Sequence, residues 1–384
     1  MGPGTHDPYA AFRVADFRRY LYGRVGLAVG TNVQEIAVGW EMYQRTGEAL
    51  ALGMVGLVQA LPWMALALPA GYLADRFDRR RVALLSLTGA TLTSLGLAAL
   101  SIAEGPVEAM YALLLLDAAS NVLGSPARTA LLPQIVPRQV FHNAVTWNSS
   151  MWQLTSVLGP AAGGLVIVWS VPAAYLCAAA GSLVFIIMFG RIRLQRDRRP
   201  AAPTSAAMIL GGVRYIWRSR LVLSAVSLDM FAVLFGGAIY LLPIFARDIL
   251  EVGPGGLGWL RAAPAAGAFC MAILLAHLPP MRRSGRNLLW CVAGFGMATI
   301  IFGLSTSFWL SLAMLFLTGA FDQVSMVIRH TLVQLLTPDE MRGRVTAVNS
   351  VFISASNNLG GMESGLVAHW FGPVFSGVSG GLGS

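Results

Sequence analysis

The stretch Arg128–Trp169, RTALLPQIVPRQVFHNAVTWNSSMWQLTSVLGPAAGGLVIVW, returns in altered form 201 residues later as Arg329–Trp370, RHTLVQLLTPDEMRGRVTAVNSVFISASNNLGGMESGLVAHW. Identical residues recur in register, among them Leu131 and Leu332, Pro137 and Pro338, Asn148–Ser149 and Asn349–Ser350, Gly159 and Gly360, and Gly164–Val166 and Gly365–Val367. The unit is strongly apolar, so it is not the repeat of a water-exposed solenoid. Two similar apolar halves predict a helical membrane protein with a site between them, a plan common among transporters.

The composition leads to the same class of protein. Hydrophobic residues make up 56% of the chain and charged residues 12%, and the mean hydropathy is +0.65. A soluble domain of this length carries about a quarter charged residues. The chain is therefore predicted to be an all-α polytopic membrane protein embedded in a lipid bilayer.

Charge and cysteine usage exclude several other classes. The net charge is +9, but the basic residues, all arginine, lie in short loops between apolar segments. That placement indicates membrane topology rather than a nucleic-acid partner. Three cysteines, all within apolar stretches, argue against a disulfide framework or a metal site. We expect no cofactor.

The spans can be counted with one length requirement, which is about 20 mainly apolar residues for each membrane crossing. Eleven segments meet it, approximately 19–43, 51–74, 82–103, 107–131, 142–168, 172–190, 221–246, 255–278, 288–304, 308–335 and 345–368. The glycine-rich residues after Pro373 would form only about 16 Å of helix, half a bilayer core. We therefore expect the twelfth helix to be incomplete.

The polar stretch 191–220 divides the chain into two parts. We expect an N-terminal six-helix bundle over 1–190, a cytoplasmic linker over 191–220 and a C-terminal bundle over 221–384 with a truncated last helix. With the N-terminus inside, only Arg45, Arg247 and Arg261 of the 27 basic residues lie in or near the outer side. Arginine-rich loops stay in the cytoplasm, so this bias predicts a cytoplasmic N-terminus in the bacterial plasma membrane, the inner membrane.

One loop carries a motif. Between the second and third spans stands Gly71-Tyr-Leu-Ala-Asp75-Arg76-Phe-Asp-Arg79-Arg-Arg81. This block resembles the loop signature of the major facilitator superfamily. Its variant, with Asp78 at a position where glycine is usual, is similar to that of the enterobactin-exporter-like and drug–proton antiporter branch. Other blocks with that resemblance are Leu242–Asp248, Gly319–Asp322, Thr337–Asn349 and Ser356–Gly360, so it covers nearly the whole chain.

The resemblance implies a fold and an activity. The fold would be two pseudo-symmetric six-helix bundles that alternate between inward-open and outward-open states. The activity would be proton-coupled efflux of a small amphiphilic molecule, siderophore-like or drug-like, by a chain that we expect to be a monomer.

The loop itself is predicted to act as a conformational lock. Asp75 stands where it can accept hydrogen bonds from the start of the eleventh helix or pair with Arg128. Such a lock favours the outward-facing state and breaks when the inside opens. Its candidate members are Gly71, Asp75, Arg76, Arg79, Arg128 and Arg329. The alternative is that the arginines only fix the topology.

The fifth span contains Gly159-Pro160-Ala-Ala-Gly163-Gly164, which resembles a block on the same helix of drug antiporters. Proline frees a backbone carbonyl and kinks a helix, and glycine allows a neighbouring helix to approach closely. Hinge and plain packing roles both fit this pattern.

Ionisable residues inside the spans are the candidate functional groups, because an isolated charge at mid-bilayer costs about 2.5–3.5 kcal/mol on insertion scales. In the fold that the resemblance implies, helices one, four, seven and ten line the central cavity. Acids stand on these four helices at Glu35, Asp117, Asp229 and Asp322. Arg261 is a candidate counter-ion for an acid or an anionic substrate.

The repeat relates two of these acids. Asp117 and Asn121 share a helix face, and Thr318 and Asp322 are their equivalents 201 residues on. We therefore expect Asp117 and Asp322 to meet at one central cavity. A carboxyl group in a low-dielectric site takes up a proton more readily than one in water, which proton-driven transport requires. The alternative for each acid is a hydrogen bond to a neighbouring helix.

Three other activities stay open on the sequence alone. One is import of a metabolite by proton symport, and another is a non-transporting sensor with the same fold. A membrane enzyme is disfavoured, because no nucleophile–base pair or metal-ligand cluster is present in the pattern.

Overall fold

The first half of the protein consists of six long helices. The computed structural model describes residues 7–192, 211, 214–279 and 284–384. A short 3-10 turn at Ala10–Arg13 precedes the helices, which are α1 Ala15–Thr46, α2 Ala49–Arg76, α3 Arg79–Ile102, α4 Val107–Thr129, α5 Phe141–Trp169 and α6 Val171–Gly190. Each lies within a few residues of a predicted span, because the bilayer sets the length of an apolar helix.

The second half repeats this order. Its helices are α7 Arg220–Phe235, α8 Gly253–His277, α9 Ser284–Leu304, α10 Phe308–Leu336, α11 Asp339–Phe371 and α12 Pro373–Gly383. The described residues contain no β-strand, which agrees with the predicted all-α class. Helix α12 has 11 residues, about 16 Å. The predicted linker 191–220 falls mainly outside the described residues.

The predicted seventh span, 221–246, is found as a candidate membrane span at Val222–Ile249, but it is not one regular helix. Helix α7 ends at Phe235, and Gly237–Leu241, Leu242–Ile244 and Phe245–Ile249 form separate short turns. A Cβ atom added at Gly237 would lie 2.2 Å from the carbonyl oxygen of Gly360 on α11. The break lets this backbone approach α11 more closely than a side chain would permit.

Two of the eleven long helices are too polar to count as spans by composition. Nine helices in the described part of the chain are long and apolar enough to cross a bilayer, and α1 and α11 are not among them. Helix α1 carries Arg24 and Glu35, and α11 carries Asn357 and Asn358. These residues line cavities inside the protein, which explains polar groups at this depth.

The helices pack as two bundles. Within the first, α1 packs on α5 and α6 and α3 packs on α4 and α6; within the second, α8 packs on α10 and α9 packs on α10 and α12. The bundles meet mainly through α2 on α11 and α5 on α8. The chain therefore has the two-fold repeated architecture that its sequence predicts.

The contacts between bundles concentrate at one end, here called the closed end, where α1 ends and α2 begins. Gly164 on α5 lies against Gly258 on α8, and Gly53 on α2 lies against Gly365 on α11; an added Cβ atom would be 2.7 Å and 3.1 Å from the facing Cα atoms. Such backbone contact between helices is typical of small residues in membranes. The opposite end, where α2 turns into α3, is called the open end.

Candidate functional site

The main cavity lies between the bundles and is largely walled by the first. Its volume is about 560 Å³, and its polar lining includes Arg24, Asn32, Glu35, Asp117, Asn121 and Arg128. Thr129, the last residue of α4, also lines it, so the cavity extends to the open end. Ligand pockets commonly have volumes of about 300–1,000 Å³, which makes this cavity large enough for a small organic molecule.

Asp117 on α4 is held in a hydrogen-bond network on the cavity wall. Thr93 Oγ1 donates to its Oδ1 over 2.9 Å, while Asn121 Nδ2 and Gln34 Nε2 donate to its Oδ2 over 3.2 and 3.4 Å. Ser94 Oγ in turn donates to Gln34 Oε1 over 2.7 Å. The predicted cavity position of Asp117 and Asn121 is therefore present in the structure, and the network satisfies most of the acceptor sites of the carboxylate.

Two arginines flank this network toward the open end. Arg128 donates to Ser86 Oγ and to the carbonyl oxygen of Asn121, each over 3.1 Å. Arg24 donates to the hydroxyl of Tyr20 over 3.0 Å and lies 6.0 Å from the ring centroid of Trp152. Arg24 was not a predicted site residue, because its position near the end of a span suggested only topology.

Glu35 and Arg261 form an ion pair across the bundle interface. Oε2 of Glu35 on α1 lies 3.7 Å from Nη2 of Arg261 on α8, and the two side chains are 46% and 24% exposed. Arg261 also lies 5.7 Å from the ring centroid of Tyr240, whose hydroxyl donates to Asn358 Oδ1 over 3.1 Å. All four residues line a cavity of about 90 Å³, and Glu35 and Asn358 line the main cavity as well.

Asp322 lies on a different cavity from Asp117. It lines a space of about 110 Å³ in the second bundle, together with Ser325, Arg329 and Asn357. Its Oδ1 lies 3.4 Å from Nη2 of Arg329, which is itself buried. Both predicted acids therefore face hollows inside the protein, but the structure does not bring them to one shared wall.

The predicted lock residues lie at the open end. Asp75 Oδ1 lies 3.6 Å from Nη2 of Arg79, and Arg76 hydrogen-bonds the hydroxyl of Tyr72. Arg80 donates to the carbonyl oxygen of Gly190, the last residue of α6, over 2.6 Å. Among the described residues, no atom lies within 4 Å of a Cβ atom added at Gly71, so Gly71 makes no close helix contact with them in this conformation.

The Gly-Pro block of α5 packs against both bundles. Added Cβ atoms at Gly159 and Gly163 would lie 2.7 Å from Asn32 and 3.1 Å from Val33 of α1, whereas Gly164 faces α8. Helix α5 continues through Pro160 without interruption. These contacts give the block a packing role in this conformation. Asp229 lies in α7, but its side chain falls outside the described residues.

A contact that the sequence did not predict joins the bundles at the closed end. The hydroxyl of Tyr43, near the end of α1, hydrogen-bonds Oδ2 of Asp248. Arg247 donates to the carbonyl oxygen of Tyr43 over 3.4 Å and lies 5.6 Å from its ring centroid. We call these three residues the closed-end clasp.

A second unpredicted cluster is buried inside the first bundle. Glu41 Oε1 lies 2.5 Å from Arg45 and accepts a hydrogen bond from Ser101 over 2.7 Å, while Tyr175 donates to its Oε2 over 2.7 Å. The spacing of Glu41 and Arg45 by four residues on one helix was the signal that would have found the pair. Among the residues described, no three His, Cys, Asp or Glu side chains form a metal-binding group.

Comparison with known proteins agrees with this architecture. A family model described as "Transmembrane secretion effector" matches residues 6–379. The enterobactin exporter EntS of Shigella boydii serotype 18 is 28% identical over 393 aligned positions, which cover 99% of this chain and 89% of that protein.

Solved transporter structures share the fold. A bacterial homologue of the human lysosomal transporter Spinster, in an inward-facing and occupied conformation, superposes with a TM-score of 0.72 at 15% identity, over 95% of this chain and 83% of that one. The nucleoside transporter NupG superposes with a TM-score of 0.76 at 10% identity, over 96% of both chains. At such identities the likeness concerns the fold alone.

Proposed function

The chain belongs to the transmembrane secretion effector family of the major facilitator superfamily, and from this premise we propose that it exports a small amphiphilic molecule, siderophore-like or drug-like, in exchange for protons. It is a multi-pass membrane transporter for a small-molecule substrate, not an enzyme. The full-length similarity to an enterobactin exporter supports outward transport of a siderophore-like substrate.

The observation that carries the coupling proposal is the ion pair between Glu35 and Arg261. It joins the two bundles, and Glu35 at the same time lines the main cavity. A change in the charge of Glu35 therefore acts both on a bound substrate and on the contact between bundles. A partly exposed pair contributes only about 0–1 kcal/mol, so it is weak enough to break in each cycle.

Exchange follows from the chemistry of a carboxylate. Ionised Glu35 only accepts hydrogen bonds, whereas its protonated form offers an O–H donor and fewer acceptor sites. A substrate hydroxyl that donates to Glu35 therefore competes with a proton for the same oxygen atoms. Mutually exclusive binding of substrate and proton is what antiport requires.

Asp117 and Asp322 take supporting roles in this proposal. Asp117 already accepts three hydrogen bonds from protein donors, which leaves fewer acceptor positions for a substrate. We assign it to the cavity wall as a second proton or substrate group. Asp322, paired with Arg329, is the equivalent group of the second bundle, and Asp229 stays a candidate from the sequence.

Alternating access is proposed as the transport cycle. The closed end is sealed by contacts between the bundles, and the main cavity extends to the open end. By the arginine bias of the loops, the open end faces the cytoplasm, as does the N-terminus. In the opposite state the loop with Asp75, Arg76 and Arg79, together with Arg128 and Arg329, would close the cytoplasmic end. We propose that one chain suffices, since its own two bundles supply the cavity.

Flux into inverted membrane vesicles under an imposed pH gradient tests the coupling. With labelled enterobactin as the probe, the wild type is expected to accumulate it only when the vesicle interior is acidic. Glu35→Gln removes the exchangeable proton and is expected to abolish the dependence on the gradient while binding remains. Glu108→Gln, an exposed acid at the start of α4, serves as the matched control.

Three outcomes would contradict the proposal. Gradient-driven uptake by Glu35→Gln at the wild-type rate would remove Glu35 from the coupling. Uptake driven by an alkaline interior would favour symport in place of exchange. Binding of the probe without any flux would favour a sensor with the transporter fold.

A further inference from the structure

The second bundle contains a cavity of which the proposed exchange uses only the pair Asp322 and Arg329. It has a volume of about 110 Å³ and lies among α7, α9, α10 and α11. We propose that this cavity is a second ligand subsite, which takes one planar or aromatic group that bears hydroxyl groups. This inference rests on the proposed function only in that the group would belong to the exported molecule.

The internal repeat relates this cavity to the main one. Asp322, Arg329 and Asn357 line the smaller cavity, and their equivalents 201 residues earlier, Asn121, Arg128 and Ser156, line the larger one. Three lining pairs at one offset show that the two spaces occupy equivalent places in the two bundles. The smaller cavity is therefore the counterpart of the main cavity in the second bundle.

The polar side of the cavity is built to hold a hydroxyl-bearing group. Asp322 offers carboxylate oxygens as acceptors, and the buried guanidinium of Arg329, 3.4 Å away, supplies the counter-charge. Ser325 is 3% exposed, and its hydroxyl has no hydrogen-bond partner within the described residues. A buried hydroxyl without a partner is unfavourable by about 1–3 kcal/mol, and a ligand that lies beside it removes that penalty.

The apolar side favours a flat group. Phe295 and Phe321 line the cavity, and Cys291 lies beside them. Aromatic rings prefer offset-stacked or edge-to-face contact with one another. An apolar cavity of about 150 Å³ holds a benzene molecule, so about 110 Å³ takes most of one ring.

The cavity adjoins the space between the bundles. Ile239 lines both this cavity and the 90 Å³ cavity that contains Glu35 and Arg261. The consecutive asparagines of α11 divide between them, Asn357 facing the smaller subsite and Asn358 the central space. A molecule held at Glu35 can therefore extend one ring into the second bundle, so that a single ligand touches both halves.

Alkylation of Cys291 tests the subsite directly, in the full-length protein in detergent. The variant Cys177→Ser/Cys270→Ser keeps Cys291 as the single thiol, and N-ethylmaleimide reports its accessibility. Catechol, a single ring with two hydroxyl groups, is expected to slow the alkylation in a saturable manner. Toluene, which has the ring but no hydroxyl group, is expected to protect much less at equal concentration.

Substitutions test which cavity residues are responsible for the protection of Cys291 by catechol. Ser325→Ala is expected to weaken protection by catechol about fivefold and Asp322→Ala about tenfold, the loss of one neutral or one charge-assisted hydrogen bond. Glu108→Gln, at the exposed start of α4, is the control and should change the protection less than twofold. Unaltered alkylation without catechol shows that each variant is folded.

Absence of protection by catechol, equal protection by toluene, or an equal loss in Glu108→Gln would each overturn the subsite. The test measures binding and not flux, and it uses neither a pH gradient nor Glu35. A failure of proton exchange in vesicles therefore leaves this result standing, and a failure here leaves the exchange proposal standing.

Discussion

The closed-end clasp predicts how firmly the two bundles are held together. Tyr43→Phe removes the hydroxyl that bonds Asp248 but keeps the ring, which Arg247 approaches to 5.6 Å. The cation–π contact and the burial of the ring are therefore retained. The substitution isolates one hydrogen bond between the bundles.

The expected size of the effect of Tyr43→Phe depends on how exposed Asp248, the acceptor of the hydrogen bond, is to water. A hydrogen bond to a charged group contributes about 1.5–3 kcal/mol. The side chain of Asp248 is 47% exposed, so water can replace part of the lost bond and the lower end of that range applies. About 1.4 kcal/mol corresponds to a tenfold change in an equilibrium constant. We expect Tyr43→Phe to raise the population that is open at the closed end about tenfold.

The assay uses a cysteine that the closed end conceals. Leu52 is 2% exposed and lines the 90 Å³ cavity, so Leu52→Cys in a background without the three native cysteines reports opening from that side. A membrane-impermeant maleimide, applied to the face of the membrane at which α1 ends, should label it about ten times faster when Tyr43 is Phe.

A double-mutant cycle decides whether the hydrogen bond is the cause. Asp248→Ala should accelerate labelling to a similar extent, and the combination with Tyr43→Phe should add little, because both changes remove the same contact. Labelling unchanged by Tyr43→Phe, or fully additive effects of the two changes, would refute the reasoning.

Three further predictions concern other contacts. Gly164→Leu places a side chain where Gly258 lies 2.7 Å from an added Cβ atom. The resulting overpacking, about 1–3 kcal/mol, should open the closed end. Unchanged maleimide labelling at that end would contradict this prediction. Glu41→Gln leaves Arg45 without its buried partner, and we expect a loss of about 3–5 kcal/mol, read as a lower unfolding temperature in detergent; an unchanged temperature would show that the pair is not structural. Asp75→Asn should raise the accessibility of cysteines introduced at the open end if Asp75 closes that end in the alternate state, and equal labelling would leave Asp75 with a topological role only.

The sequence predicts the helices well, because bilayer thickness and loop charge are one-dimensional signals. The second span is predicted at 51–74 and observed at Ala49–Arg76. The seventh span is predicted in extent, but its departure from a regular helix has a three-dimensional cause. Gly236 and Gly237 read as ordinary residues of an apolar run, and only the approach to Gly360 shows why the backbone departs from the helix there.

The candidate site likewise has some features that the sequence predicts and others that only the three-dimensional structure shows. An acid inside a predicted span is visible without a structure, so Glu35 and Asp117 could be selected. Their partners lie on other helices, and no spacing along the chain relates Thr93 to Asp117 or Arg261 to Glu35. The repeat relates Asp117 and Asp322 as positions along the chain, but it predicted one shared cavity, whereas Asp322 lines a separate cavity in the second bundle.

The two kinds of contact at the closed end explain how this interface can be both specific and reversible. Facing glycines such as Gly164 and Gly258 bring backbones together without burying any charge, so separation leaves no unsatisfied group in the lipid. The polar contacts, Tyr43 with Asp248 and Glu35 with Arg261, each include a partly exposed acid, so water can replace part of the interaction when the bundles separate. A ligand can shift an equilibrium only by its differential affinity for the two states, about 5.5 kcal/mol for a change from 1:99 to 99:1. Partly exposed polar contacts of about 0–3 kcal/mol each therefore lie within the range that a proton and a substrate can shift.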